Sequence, residues 1–203
     1  MTASTTNANE IAEFKGKRVL VTGGTKGAGK AIADRFLKGG ATLAITARSA
    51  PVENSAAHFI QADVSTSEGA AHVIAQVLSR FKGVDVVVHN VGGSSAPSGG
   101  FQTVTDELWQ QAINENLYPA VRLDRGLLPS MIEQGAGVIV HVSSIQRTLP
   151  LYDSTLAYAA AKAALTNYSK ALANDQSQRY SRRDRLSWLY RDRRGHQNDS
   201  TNG

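Results

Sequence analysis

The sequence predicts an α/β chain built on a doubly wound parallel sheet. Three observations carry that prediction. Short apolar, β-branched runs alternate with longer amphipathic ones, the rhythm of right-handed βαβ units covered on both faces. The first apolar run leads straight into a glycine-rich stretch, TGGTKGAG (22–29). The unusual polar residues further along fall at the carboxyl ends of the apolar runs, where parallel sheets bind their ligands.

The elements follow in order. KRVLVT (17–22) is apolar and β-branched and ends in a glycine turn, so it reads as a buried strand. KGAGKAIADRFLKGG (26–40) places Ile32, Ala33, Phe36 and Leu37 at helical spacing and ends in Lys-Gly-Gly, a helix stop. ATLAITA (41–47) and HFIQADV (58–64) read as the second and third strands. STSEGAAHVIAQVLSRF (65–81) reads as a helix behind a Ser/Thr cap, with Glu68 three residues after Ser65. VDVVVHN (84–90), apolar until its last two residues, is the fourth strand, and VGGSSAPSGG (91–100) a flexible loop. The stretch 105–134 reads as one long helix, GVIVHVSS (137–144) as the fifth strand, and 155–174 as a helix by propensity. No period of ~20–50 residues is visible, so a solenoid is excluded.

At 203 residues the chain fits one domain with a real core. It divides into a disordered tail over 1–14, the folded domain over 15–174 and an arginine-rich, irregular tail over 175–203. The absence of cysteine excludes disulfides, thiolate metal sites and cysteine catalysis. Five histidines show no H-x-x-x-H or HExxH spacing, so no metal site is expected. No apolar run reaches the ~18 residues of a membrane span, and the first ten residues lack the basic start and apolar stretch of a signal peptide. A cytoplasmic protein is expected. Of the formal net charge of +5, residues 176–203 carry +4, so the basic balance belongs to the tail and not to a binding face of the domain.

In TGGTKGAG, Gly23, Gly27 and Gly29 permit positive φ and let backbone N–H groups approach a diphosphate at the start of the next helix. In isolation the stretch also fits a plain tight turn; its place after the first strand favours the Rossmann-like dinucleotide reading. Such sites ordinarily hold the ribose 2′-hydroxyl with an acid after the second strand. Here that end carries Arg48 and no acid, and Lys26 adds a second cation in the loop. A guanidinium suits a 2′-phosphate, so NADP is favoured, with NAD as the alternative. Asp63, ending the third strand, is a candidate acceptor for the adenine amino group, or else a turn residue.

AYAAAKAAL puts Tyr158 and Lys162 four apart, on one face of a helix. A nearby ammonium stabilises a phenolate and draws its pKa toward neutrality. Ser144 supplies a hydroxyl at the end of the fifth strand. Asn116 is costly in mid-helix, and its amide could anchor a water to the lysine.

Taken together, TGGTKGAG, then ADV, NVGG (90–93), NENL (114–117), VSS (142–144) and YAAAK resemble the short-chain dehydrogenase/reductase family from about residue 15 to 174. The resemblance implies a catalytic tetrad of Asn116, Ser144, Tyr158 and Lys162. Ser144 is preferred to Ser143 because the family uses the second serine of the pair. It further implies a cofactor cleft lined by Thr22, Gly23, Thr25, Lys26, Gly27, Gly29, Arg48, Asp63, Val64, Asn90 and Gly92, with Tyr158 and Lys162 at its nicotinamide end. The implied reaction is hydride transfer between a nicotinamide and a small-molecule carbonyl or secondary alcohol. A homo-oligomer, dimer or tetramer, is expected, with no nucleic-acid or membrane partner. The alternative is a non-catalytic dinucleotide-binding relic or regulator.

The family continues with a strand-bearing segment of the form SPKGIRVxxVSPG, which is not legible after Asn174. Codons can be chosen for 175–189 that, read one base on, give ISPKGIRVVTVSPG. A one-base shift near codon 175 is therefore expected, along with the loss of the last strands and of the substrate-closing loop. On that expectation the fifth strand presents an open, uncovered edge and turnover is poor.

Overall fold

The computed structural model describes residues 13–51 and 55–180, with side chains to 175. The expected irregularity beyond residue 180, the disordered start over 1–12 and the shifted reading of the tail all lie outside the described residues.

Five strands form one sheet: β1 (Arg18–Thr22), β2 (Thr42–Ala47), β3 (His58–Gln61), β4 (Val86–His89) and β5 (Val138–His141). Their order is β3-β2-β1-β4-β5, and every neighbouring pair is parallel. The chain runs outward from β1 to β3 and then returns to β4 on the other side of β1. The carboxyl ends of β1 and β4 therefore flank a topological switch point, the crevice such sheets offer to ligands.

Among the described residues five α-helices accompany the sheet: α1 (Gly27–Lys38), α2 (Ser67–Phe81), α3 (Asp106–Asn116), α4 (Tyr118–Glu133) and α5 (Leu156–Tyr180). Alternation along the strands sends side chains to two faces. Leu20, Ala44 and Val87 join Val73 and Val77 of α2 and Leu123, Leu127 and Met131 of α4 in one apolar layer. Val19, Val21, Ile45 and Val88 face the opposite way and pack with Ala33 of α1. This gives the three-layer arrangement expected from the sequence.

Two local expectations are corrected and two are made more specific. The helix expected over 105–134 is two, broken at Leu117. Pro119, in the first turn of α4, has no N–H to donate and its ring obstructs a continuing helix. The Ser/Thr cap of α2 is Thr66: its hydroxyl accepts from the Gly69 N–H at 3.0 Å. Ser65 is instead drawn onto Asp63. The helix expected to end at Asn174 runs on to Tyr180, into the segment expected to be irregular. The loop 91–100 leads into a short 3₁₀ turn, Gly100–Thr103. No described helix is long and apolar enough to cross a membrane.

Candidate active site at the carboxyl ends of β1, β4 and β5

The glycine turn is shaped by backbone demands. Gly23 and Gly27 adopt φ of 67° and 55°, the left-handed region that favours glycine. Gly29 is required by contact: a Cβ there would stand 2.1 Å from the Gly23 carbonyl oxygen. Gly24 makes the same kind of contact with β2, where a Cβ would meet Ile45 at 2.6 Å, a requirement not singled out from the sequence. Lys26, the N-cap of α1, makes no side-chain cap bond. The first N–H groups of α1 thus point outward from a glycine cradle, the arrangement that receives a phosphate.

The other residues divide. Thr22 is buried beneath the turn, where its hydroxyl accepts from the Asn90 and Val91 N–H groups at 3.0 and 3.2 Å. It braces the end of β4 against β1. Val64 is in the core, 3% exposed. Asp63 is exposed, and its Oδ1 accepts from the Ser65 hydroxyl and N–H, which hold its carboxyl below the usual range. Arg48 and Lys26 are exposed, Arg48 just past the end of β2, and Thr25 is half-buried.

From the glycine turn a continuous path of contacts leads to the tyrosine–lysine pair. The Asn90 amide donates to the Gly23 carbonyl at 3.5 Å. Two residues on, Gly92 has φ of 154°, and a Cβ there would lie 2.6 Å from Asn116 Oδ1 and 2.8 Å from Lys162 Nζ. Asn116 is 2% exposed. Its Oδ1 accepts from the Gly93 N–H, and its Nδ2 donates to the Gly93 and Ala112 carbonyls, each at 2.9 Å. The Lys162 ammonium is 3% exposed, donates to the Val142 carbonyl at 3.0 Å and stands 5.9 Å from the Tyr158 ring centroid. Burial pulls its pKa down to about 8.

The two serines separate cleanly. Ser143 Oγ is bonded to Thr166 Oγ1 at 2.7 Å and to the Lys162 carbonyl, so it ties β5 to α5. Ser144 lies outside that packing, and its hydroxyl accepts only a 3.2 Å bond from the Gln146 N–H.

One cluster has no local motif in the sequence. The Asp124 carboxylate, 1% exposed on α4, meets His89 Nε2 at 2.7 Å, His141 Nε2 at 3.0 Å and the Tyr168 hydroxyl at 3.0 Å. These partners stand 35, 17 and 44 residues away, beyond any spacing rule. The available signal was a histidine ending each of two apolar strands, VVVH and VIVH.

A parallel sheet with a glycine turn at its switch point and a buried lysine beside a tyrosine defines a doubly wound, Rossmann-like α/β protein. Comparison with known proteins is specific: residues 17–180 match the family described as short chain dehydrogenase, and the chain belongs to that family. A short chain dehydrogenase of Pseudocercospora fijiensis is 32% identical over 172 residues, 79% of this chain and 55% of the relative. An uncharacterised oxidoreductase of Bacillus subtilis is 32% identical over 170 residues, covering 79% and 63%. L-sorbose reductase of Gluconobacter frateurii, solved with NADPH and L-sorbose, superposes with a TM-score of 0.74 at 34% identity, covering 81% of this chain and 66% of that one. The chain thus spans between about half and two thirds of the relatives' length.

Proposed function

We propose that the cleft binds a nicotinamide dinucleotide, NADP in preference to NAD, for hydride transfer to or from a small-molecule carbonyl or secondary alcohol. The observation that carries the proposal is the unbroken path from the Gly23 turn through Asn90 and Gly92 to a desolvated Lys162 beside Tyr158. The turn fits the group: Gly23 and Gly27 hold φ of 67° and 55°, Gly29 lets α1 close against Gly23 and Asn90, and the first N–H groups of α1 stand ready for a diphosphate. Gly23, Gly27, Gly29 and Asn90 would hold the dinucleotide, with Arg48 and Lys26 facing a 2′-phosphate. When bound, the cofactor supplies the hydride chemistry.

The chain's own residues would do the rest. Lys162, losing its solvation yet bonded to Val142, is an ammonium that gains from any nearby oxygen able to carry negative charge. Tyr158, whose ring lies 5.9 Å from that ammonium, would move the proton. Ser144 would orient the substrate oxygen. Asn116 acts through the loop: its two bonds to Gly93 set the Gly92–Gly93 backbone over Lys162, and its third ties the amide to Ala112 of its own helix. The relation to L-sorbose reductase is compatible with a polyol or sugar carbonyl as substrate. The cytoplasm supplies both cofactors and fits the reading.

A second reading, a non-catalytic dinucleotide binder, is favoured by the open rim. Phe101, Ile145, Leu149, Leu151 and Tyr152 are 59–81% exposed among the described residues, so nothing described seals the mouth from water. One experiment separates the two. The full chain is titrated with NADPH and NADH by nicotinamide fluorescence and assayed for carbonyl reduction. NADPH should bind more tightly, and Arg48→Glu should abolish that preference. Tyr158→Phe should lower turnover by roughly a hundredfold or more with cofactor affinity unchanged. Tight binding with no turnover to lose selects the binder, and no binding of either dinucleotide rejects both readings.

A further inference from the structure

The Asp124 cluster lies outside the tetrad, directly behind it. His89 and His141 are register partners at the carboxyl ends of β4 and β5, and their rings stack at 4.9 Å with an interplanar angle of 10°. Both present Nε2 to the same buried carboxylate, and Tyr168 of α5 donates its hydroxyl to Asp124 Oδ2. His141 Nδ1 is bonded to Ser169 Oγ at 3.0 Å, so α5 is held at a second point. The carboxylate therefore draws β4, β5, α4 and α5 onto one point.

The backbones of the same two histidines converge on Val142. Val142 follows His141 in the chain, and its N–H donates to the His89 carbonyl at 2.9 Å. Its own carbonyl accepts from Lys162 Nζ at 3.0 Å. The residue whose carbonyl holds Lys162 thus follows His141 in the chain and is bonded to the His89 backbone, and both histidine side chains end on Asp124. Burial disfavours the Asp124 charge, but the histidine partners outweigh it and hold its carboxyl below the usual range. Burial lowers His141, favouring its neutral form. A carboxylate satisfied by three N–H and O–H donors describes the distances. A cation at the same place would leave the buried His89 Nδ1 as an N–H with no acceptor among the described residues.

We propose that Asp124 is a positioning residue for the nicotinamide end of the cleft: through His89 and His141 it sets the Val142 carbonyl that holds Lys162. This rests on reading the cleft as a dinucleotide site. The other charged or titratable groups bearing on the cluster are Lys162, which acts on His141, and Arg125, which acts on Tyr168.

The test uses the full chain and two probes. NADPH reaches both ends of the cleft, whereas adenosine 2′,5′-bisphosphate reaches only the adenine end. Asp124→Asn keeps the shape and removes the charge. It should weaken NADPH roughly tenfold or more while leaving the bisphosphate within about twofold. Unchanged NADPH affinity, or equal weakening of both probes, overturns the proposal, because a merely structural role moves both or neither. Should Asp124→Asn not fold, His141→Gln and His141→Asn decide. Glutamine can present its amide where Nε2 stood and should retain NADPH affinity, while asparagine, reaching only to the Nδ1 position, should lose it. Equal behaviour of the two overturns the proposal. Stoichiometric Zn²⁺ uptake by the wild type that Asp124→Asn abolishes also overturns it, in favour of a metal centre. If the wild type binds neither probe, the dinucleotide reading falls and takes this proposal with it. If the wild type binds both and the variants fail to discriminate, only this proposal falls.

Discussion

Lys162 shows how a single buried group sets both chemistry and stability. Its pKa of about 8 lies below the ordinary lysine value of 10.5, and the cause is desolvation. At neutral pH the folded chain therefore carries a buried charge at a cost of a few kcal/mol, which Tyr158 and the Val142 carbonyl offset in part. The sign follows from proton counting. Between about 8 and 10.5 the unfolded chain binds more protons at this position than the folded one, so stability rises with pH across that window. Lys162→Met should remove the rise. Urea denaturation of both proteins from pH 7 to 10.5 measures it. A parallel pH dependence in wild type and variant would place the ammonium in water rather than beneath Gly92. His141, lowered by burial, acts in the acid direction: its stability contribution falls as pH drops below the ordinary histidine range.

At the scale of elements, what could be read from the sequence was local and what could not was contextual. The five strands were legible because parallel strands buried on both faces are continuous apolar runs. Tyr158 and Lys162 were legible because four residues is one helical turn. The break at Leu117 was not, because the amphipathic pattern continues through it, and Pro119 can also sit inside a pattern that merely kinks. The Ser/Thr cap of α2 was legible, but not which residue fills it, because Ser65 and Thr66 are both good caps. Asp63 decides between them by taking the Ser65 N–H and hydroxyl, which leaves Thr66 for Gly69. The Asp124 cluster was invisible because it unites residues from four elements. The caps yield a graded prediction. The Thr66 hydroxyl accepts its helix bond at 3.0 Å, the Thr105 hydroxyl that of α3 at 3.4 Å. Thr66→Ala should cost about 1 kcal/mol and Thr105→Ala less, read from urea midpoints at constant slope. The reverse order would mean that the Thr66 bond is not maintained in solution.

At the scale of the molecule, the sheet is covered unequally. On the α2 and α4 face the apolar layer is continuous from β3 to β4 and closes over Leu123, Leu127 and Met131, all at 0% exposure. On the other face α1 packs over β1 and β2. Val140 of β5, the register partner of buried Val88, points to that same face and is 41% exposed. Among the described residues β5 also has no neighbour on its far side, so apolar surface and unpaired backbone groups coincide there. Such an edge is a template for pairing with another chain. A charged residue at its centre blocks that pairing and costs little in the monomer, because the side chain already meets water. Val140→Lys should change unfolding free energy by less than about 0.5 kcal/mol while reducing concentration-dependent association, measured by light scattering across a dilution series. If the lysine destabilises the chain strongly instead, Val140 is covered in solution by residues beyond those described. If association is unchanged, contacts between molecules form elsewhere, and the exposed rim of Phe101, Ile145, Leu149, Leu151 and Tyr152 is the next surface to charge.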